Sequence, residues 1–304
     1  MNYKEINLRE IRDFGEKFNA VFSFVQLNFK SLFKIILFTV GPLILLGSIM
    51  FGMLYSNAID VMSLDLDEGL TTLNSAFEGI FANLLLGLAS LWMMIAIYAY
   101  MAEYAGGNRN ISIETIWNRG KTYILPIIGF GIVFFIVLIL AMVIIVAIPI
   151  PQNMMFFKVL LASILLFYIF IAVSLTFPIM IIEKKPLIES INRSFFLIRS
   201  NWWATFWLLL VMGLVVGIAS VVFAIPFYVS MGVAAIMQIG ETGNLLIIIC
   251  SLILFLGSYL MSVLPTLALG FQYFNLVEKK EGTGLLEKIE QLGKEETSEN
   301  EGGF

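Results

Sequence analysis

The sequence predicts an all-α fold: a polytopic transmembrane helical bundle of six spans, with amphipathic interfacial helices on its cytoplasmic side. Three observations carry this expectation. Hydrophobic residues make up 60% of the 304-residue chain and charged residues 13%, with a mean hydropathy of +0.94, outside the range of soluble domains. Six apolar stretches reach the roughly 20 residues that a hydrocarbon layer of about 30 Å needs. They run over about 34–55, 80–101, 123–148, 157–182, 202–228 and 245–274. Finally, the basic residues are segregated. Lys4, Arg9, Arg12, Lys17, Lys30 and Lys34 precede or open the first span. Arg109, Arg119 and Lys121 follow the second, Lys184, Lys185, Arg193 and Arg199 the fourth, and Lys279, Lys280, Lys288 and Lys294 the sixth. Of the 18 basic residues only Lys158 falls on the other face. Lys and Arg are retained on the cytoplasmic side, so both termini are expected there, in a bacterial inner (plasma) membrane.

Three domains are expected: a cytoplasmic amphipathic segment over 1–33, a six-span domain over 34–274, and a cytoplasmic polar tail over 275–304, partly disordered and carrying a short amphipathic piece at Leu285, Leu286, Ile289 and Leu292. The first apolar run begins after some 30 mixed residues and is too long for a signal-peptide core, so insertion through the first span is expected.

Before that span, Phe14, Phe18, Phe22, Val25 and Phe29 recur at helical intervals and predict a surface helix. Pro42 inside span one and Pro265 inside span six are candidate helix kinks, because proline removes a backbone donor and crowds the carbonyl four residues back. The connection over 56–79 is acidic and lacks the spacing of a Ca²⁺ loop; it reads as a solvated outer loop. A second surface helix is expected over 111–123, and a tight outer turn over 149–155. After Pro178 and Ile182 come Glu183, Lys184, Lys185 and Pro186. Leu187, Ile188, Ile191, Phe195 and Ile198 then predict a third surface helix, and Trp202 and Trp203 an interfacial aromatic belt. Pro226 is placed at the end of span five, and 229–244 is read as a connection holding a shallow interfacial helix. Ser48 and Gly52, like Gly213 and Gly217, are small residues four apart, suited to close packing within the bundle or between copies.

The plan is thus three units, each a surface helix followed by a two-span hairpin. A shift of 173 lays Asn19 on Asn192, Phe22 on Phe195, Asn28 on Asn201, Phe29 on Trp202 and Phe33 on Phe206. The third copy fits less well. Duplication and similar physics at each inner boundary both account for this pattern.

The chemistry is mostly a matter of exclusion. Histidine is absent, and the single cysteine, Cys250, lies in span six. The commonest general base and the usual metal ligands are therefore missing. A charge at the centre of a span costs about 2.5–3.5 kcal/mol, and none is found there, which argues against proton-coupled carriers and charged filters. No catalytic residue, cofactor or metal is expected, and no nucleic-acid partner.

The candidate docking cluster is Glu183, Lys184, Lys185, Arg193 and Arg199 beside Trp202 and Trp203, with Glu183 and Arg193 paired across the turn. It reads either as topology and anchoring or as a surface for a lipid headgroup or a membrane-protein partner. Residues Pro178, Glu183, Arg193, Ser194, Leu197, Arg199, Trp202 and Trp203 resemble the pattern of the membrane domain found beside some bacterial glycerophosphoryl diester phosphodiesterases, and of six-span proteins related to it. The resemblance implies the fold and the membrane. It carries over no hydrolase activity, because no barrel-sized soluble region follows span six.

The leading expectation is a non-enzymatic accessory or scaffold protein that binds lipid or a membrane partner through its cytoplasmic collar. The alternative is a permease or lipid-transport bundle for an apolar or neutral substrate, and a weaker third is an enzyme of lipid metabolism. A polar cavity open to one side at Pro42 and Pro265 would favour transport; a closed, dry bundle would favour the accessory role.

Overall fold

The computed structural model of the chain describes residues 5–63, 68–147, 154–237, 240–282 and 284. Among these residues there are ten α-helices and no strand. They are α1 (Phe14–Thr39), α2 (Gly41–Ser63), α3 (Glu68–Ala105), α4 (Ile113–Gly120), α5 (Ile124–Ala147), α6 (Met155–Val173), α7 (Thr176–Ile182), α8 (Leu187–Ile198), α9 (Trp202–Met237) and α10 (Gly240–Glu281). Also among the described residues, six helical stretches are long and apolar enough to cross a membrane. They are Phe14–Thr39, Ser75–Ala105, Ile113–Val143, Met155–Ile182, Trp202–Ile236 and Gly243–Glu281; the shorter Gly41–Ser56 is a seventh apolar helix.

Packing separates α1 from the others. Lys17 sits at Gln272 of α10, Phe24 wedges between Phe271 of α10 and Tyr104 of α3, and Asn28 meets Tyr100 of α3. Within eleven residues α1 has crossed from one helix to the other at a single level, so its first half lies across their ends. α2 instead runs antiparallel to both. Gly47 meets Leu86 and Gly79 meets Leu54, while Ser251 Oγ donates to the Ser48 carbonyl at 2.7 Å and Gly52 lies against Ile248. A methyl group added at Gly52 would stand 2.7 Å from Ile248 Cα. α9 is antiparallel to α10, with the Phe223 ring over Gly257. α3 and α10 are parallel, the Tyr259 hydroxyl donating to the Leu86 carbonyl and Gly270 facing Met101.

Prolines decide where the expected spans are interrupted. The stretch 34–55 is broken rather than kinked. Val40 N still bonds to the Ile36 carbonyl at 2.8 Å, but the next bonds are Leu43 N and Ile44 N to the Val40 carbonyl, so α2 restarts with Pro42 in its first turn. The stretch 157–182 is divided at Ser174 and Leu175, because Pro178 has no N–H for the Ser174 carbonyl. Pro265 stays inside an unbroken α10, and Pro226, expected at a helix end, lies inside α9.

Three expected connections are corrected. Most of 56–79 is helical, because α2 continues to Ser63 and α3 begins at Glu68. α9 runs to Met237 and α10 starts at Gly240, in place of a separate shallow helix. α10 also extends past residue 274 to Glu281 with Leu276 and Val277 buried, so the polar tail starts later than expected. Most of the turn 149–155 and the amphipathic piece Leu285–Leu292 lie outside the described residues.

The three-unit plan is visible in the packing. α3, α7 and α10 come together at one end of the bundle, and the leading helix of each unit bridges two of them: α1 joins α10 to α3, α4 joins α3 to α7, and α8 joins α7 to α10. The first helix of each hairpin likewise contacts its own second helix and that of another unit: α2 lies by α3 and α10, α5 by α6 and α3, and α9 by α10 and α6. The arrangement is a pseudo-three-fold. Stacked rings recur under the 173-residue shift, Phe29 on Phe33 with centroids 5.6 Å apart and Trp202 on Phe206 at 5.5 Å.

The units are not equally closed. α2 fills its slot with Gly47, Ser48 and Gly52 in contact on both sides. Gly129 and Gly131 of α5, and Gly213 and Gly217 of α9, meet nothing within 4 Å. Most described side chains of α5, from Ile132 and Val133 to Leu140 and Met142, are exposed.

Candidate functional site

The charged end is built by α1, α4, α8 and the last three turns of α10. Lys17 Nζ, only 3% exposed, donates to Gln272 Oε1 at 2.8 Å, and Gln272 Nε2 donates to Thr205 Oγ1 at 2.9 Å, a buried chain from α1 through α10 to α9. Asn275 Oδ1 accepts from Arg12 N at 2.8 Å, and Glu278 Oε2 from Gly284 N at 2.7 Å. Burial lowers the Arg12 guanidinium from its ordinary value, opposed by Glu10 and Glu16. On α4, Arg119 bonds Glu103 at 2.7 Å and reaches the carbonyls of Ile181 and Ile182, satisfying acceptors left open at the C-terminus of α7.

The predicted cluster divides into two groups. Glu183 and Arg193 are paired, with Nε 2.6 Å from the carboxylate. The Tyr273 hydroxyl donates to the same carboxylate at 2.9 Å, Lys185 stands 3.3 Å away, and Arg193 continues to Glu281 at 2.8 Å. Desolvation would lower Arg193, but its hydrogen bonds to Glu281 and Glu183 outweigh it and hold the guanidinium above its ordinary value. Lys184 has φ 57°, a left-handed turn residue on the exposed rim. These groups are spent on joining α7, α8 and α10.

Arg199 is different. It is exposed, and its guanidinium has no hydrogen bond or ion pair with a described residue. It lies with Ser200, Asn201, Trp202 and Trp203 along one wall of a groove of about 920 Å³. The other wall is α6, at Ser163, Ile164, Phe167 and Tyr168. Trp202 stacks on Tyr168 with centroids 5.2 Å apart and donates its Nε1 hydrogen to the Tyr168 carbonyl, while Trp203 is 66% exposed. A cation beside amphipathic rings and an apolar wall suits a ligand with an anionic head and a hydrocarbon tail.

A second opening, of about 630 Å³, lies where α5 fails to close against α3, α7 and α10. Pro265 is in its wall and Pro42 is not. None of its described lining residues is charged, so it is neither the polar cavity that would favour transport nor part of a closed bundle.

Lys17, Thr205, Gln272, Tyr273, Asn275 and Glu281 escape a reading by hydropathy. For Gln272, Asn275 and Glu281 the signal is the recurrence of polar residues at 272, 275, 278 and 281, a three-residue spacing that puts a polar stripe along the end of an apolar helix. No family model, no curated protein and no solved structure matches the chain.

Proposed function

We propose that the chain is a non-enzymatic accessory protein of the bacterial inner membrane, both termini cytoplasmic, that holds the headgroup of an anionic phospholipid in the groove beside Arg199. In this reading α1, α4 and α8 lie at the cytoplasmic surface, with α2, α3, α5, α6–α7, α9 and α10 as the six spans. The segments bearing nearly all the basic residues meet at that one end, which supports the orientation. The observation that carries the binding reading is Arg199, an exposed cation with an unpaired guanidinium that shares a groove wall with Trp202 and Trp203. Its neighbour Arg193 is neutralised by two carboxylates and offers no such charge. The resemblance to phosphodiesterase-associated membrane domains belongs to the same reading, for the fold alone.

The test is mild detergent purification of the whole chain, followed by native mass spectrometry of what accompanies it. Phosphatidylglycerol is expected to remain bound, and its retention to fall about fivefold in Arg199→Gln, since one basic residue at an anionic headgroup is worth about 1 kcal/mol. A stoichiometric protein lost on the same substitution would replace this reading with that of a subunit.

A further inference from the structure

The opening beside α5 has features that a packing defect would lack. It occupies the slot equivalent to the one α2 fills, bounded by the broken α6–α7 junction at Ser174 and Phe177 on one side and by Pro265 and Thr266 on another. Its walls are largely apolar, with Phe130 and Phe134 from α5 and Phe170 and Phe177 facing them across the α6–α7 junction. At about 630 Å³ it lies within the range of small-ligand sites. Gly131 and Phe170 in its lining are exposed, so it opens to the outside of the bundle, where a bilayer would supply hydrocarbon.

Its polar groups are few and neutral. Ser174 and Thr266 bond back to carbonyls of their own helices, and Ser90 is bonded to Tyr259. Tyr98 is the exception. It lines the cavity, is 1% exposed, and its hydroxyl has no hydrogen-bond partner among the described residues. A hydroxyl donor without a partner inside the protein is free to donate to an acceptor from elsewhere.

We infer that this cavity binds a neutral membrane lipid, its chain seated among the phenylalanines and a carbonyl or ester oxygen at the head of that chain accepting from the Tyr98 hydroxyl. Absence of any charge in the wall selects against a phosphate at this depth, where a lone buried ion carries a heavy desolvation cost. The inference rests on the membrane-spanning reading and is independent of the Arg199 groove.

The experiment uses the full chain in vesicles of phosphatidylethanolamine and phosphatidylglycerol, doped with a diacylglycerol carrying a diazirine near the head of one chain. Irradiation and peptide mass spectrometry resolved to single residues should place the label on Phe130, Phe134, Pro265 and Leu269. Labelling should fall about fivefold in Tyr98→Phe, the equivalent of one lost hydrogen bond. It should disappear in Gly131→Trp, which fills open space. Tyr98→Phe removes one unpaired oxygen and so keeps the test valid if Gly131→Trp misfolds. Equal cavity labelling by a diazirine phosphatidylglycerol, or labelling indifferent to Tyr98→Phe, would overturn the assignment. So would label confined to outward residues such as Ile132 and Val133, and that pattern would leave the membrane reading intact. Absence of label even there would instead sink the membrane reading itself.

Discussion

Charged residues at the bundle end do two separable jobs, and single substitutions tell them apart. The Glu183 and Arg193 side chains are 15% and 19% exposed, and Glu183 also accepts from Tyr273. Glu183→Gln keeps the shape but leaves a partly buried guanidinium with Glu281 alone. A loss of about 1–3 kcal/mol is expected, read as an earlier thermal transition of the detergent-solubilised protein. Arg199→Gln, touching no protein partner, should leave that transition within about 0.5 kcal/mol while lipid retention falls. The reverse ranking would move the binding site to Arg193. The cluster was legible as a set of residues around a turn. Its division into structural and free members was not, because the partners Tyr273 and Glu281 lie some ninety residues away.

Glycines show the same limit at the scale of the helix. The pairs Ser48/Gly52 and Gly213/Gly217 are indistinguishable by spacing, yet only Gly52 is pressed against a neighbour. Gly52→Ala forces its methyl group into the α10 backbone and should cost about 1–3 kcal/mol. Gly217→Ala points into open space and should be neutral or stabilising by up to about 1 kcal/mol, through helix propensity alone. Comparing the two thermal transitions checks the assignment. Surface helices behave likewise. Phe14, Phe22 and Phe29, from the apolar stripe that predicted α1, are exposed, and Lys17, Ala20, Val21 and Phe24 are buried. In α8, Ile188, Phe195 and Phe196 are exposed, while Ser190, Ser194 and Leu197 pack on the protein, Ser194 Oγ reaching the Ala172 carbonyl at 2.8 Å. Lipid is as apolar as a protein core, so small and hydrogen-bonding residues mark the protein-facing side instead.

At the scale of the whole molecule, the three units form a ring in which one slot is closed and two are open. The orientation proposed for this ring is tested by labelling single cysteines in a Cys250→Ser background. Ser200→Cys lies at the charged end and Met154→Cys beyond the far end of α6, and both positions are exposed. A membrane-impermeant maleimide added to spheroplasts should modify Met154→Cys and should reach Ser200→Cys only after permeabilisation. Labelling of both from outside would overturn the six-span topology. The pseudo-three-fold explains why the third sequence copy aligns poorly. Its surface helix α4 is short and its second span is split by Pro178, so its contacts recur while its residue spacing does not.

Sequence alone determined the helical class, the apolar stretches and the gathering of basic residues at one end. These follow from local quantities: transfer free energy per residue, helix length against bilayer thickness, and charge retention. Tertiary structure decided which stripe of each helix meets protein, which cations are neutralised, and that α5 stands off where α2 packs tight. Those outcomes depend on close contact between side chains far apart in the chain. In an environment where both sides of a helix are apolar, hydropathy carries no information about them.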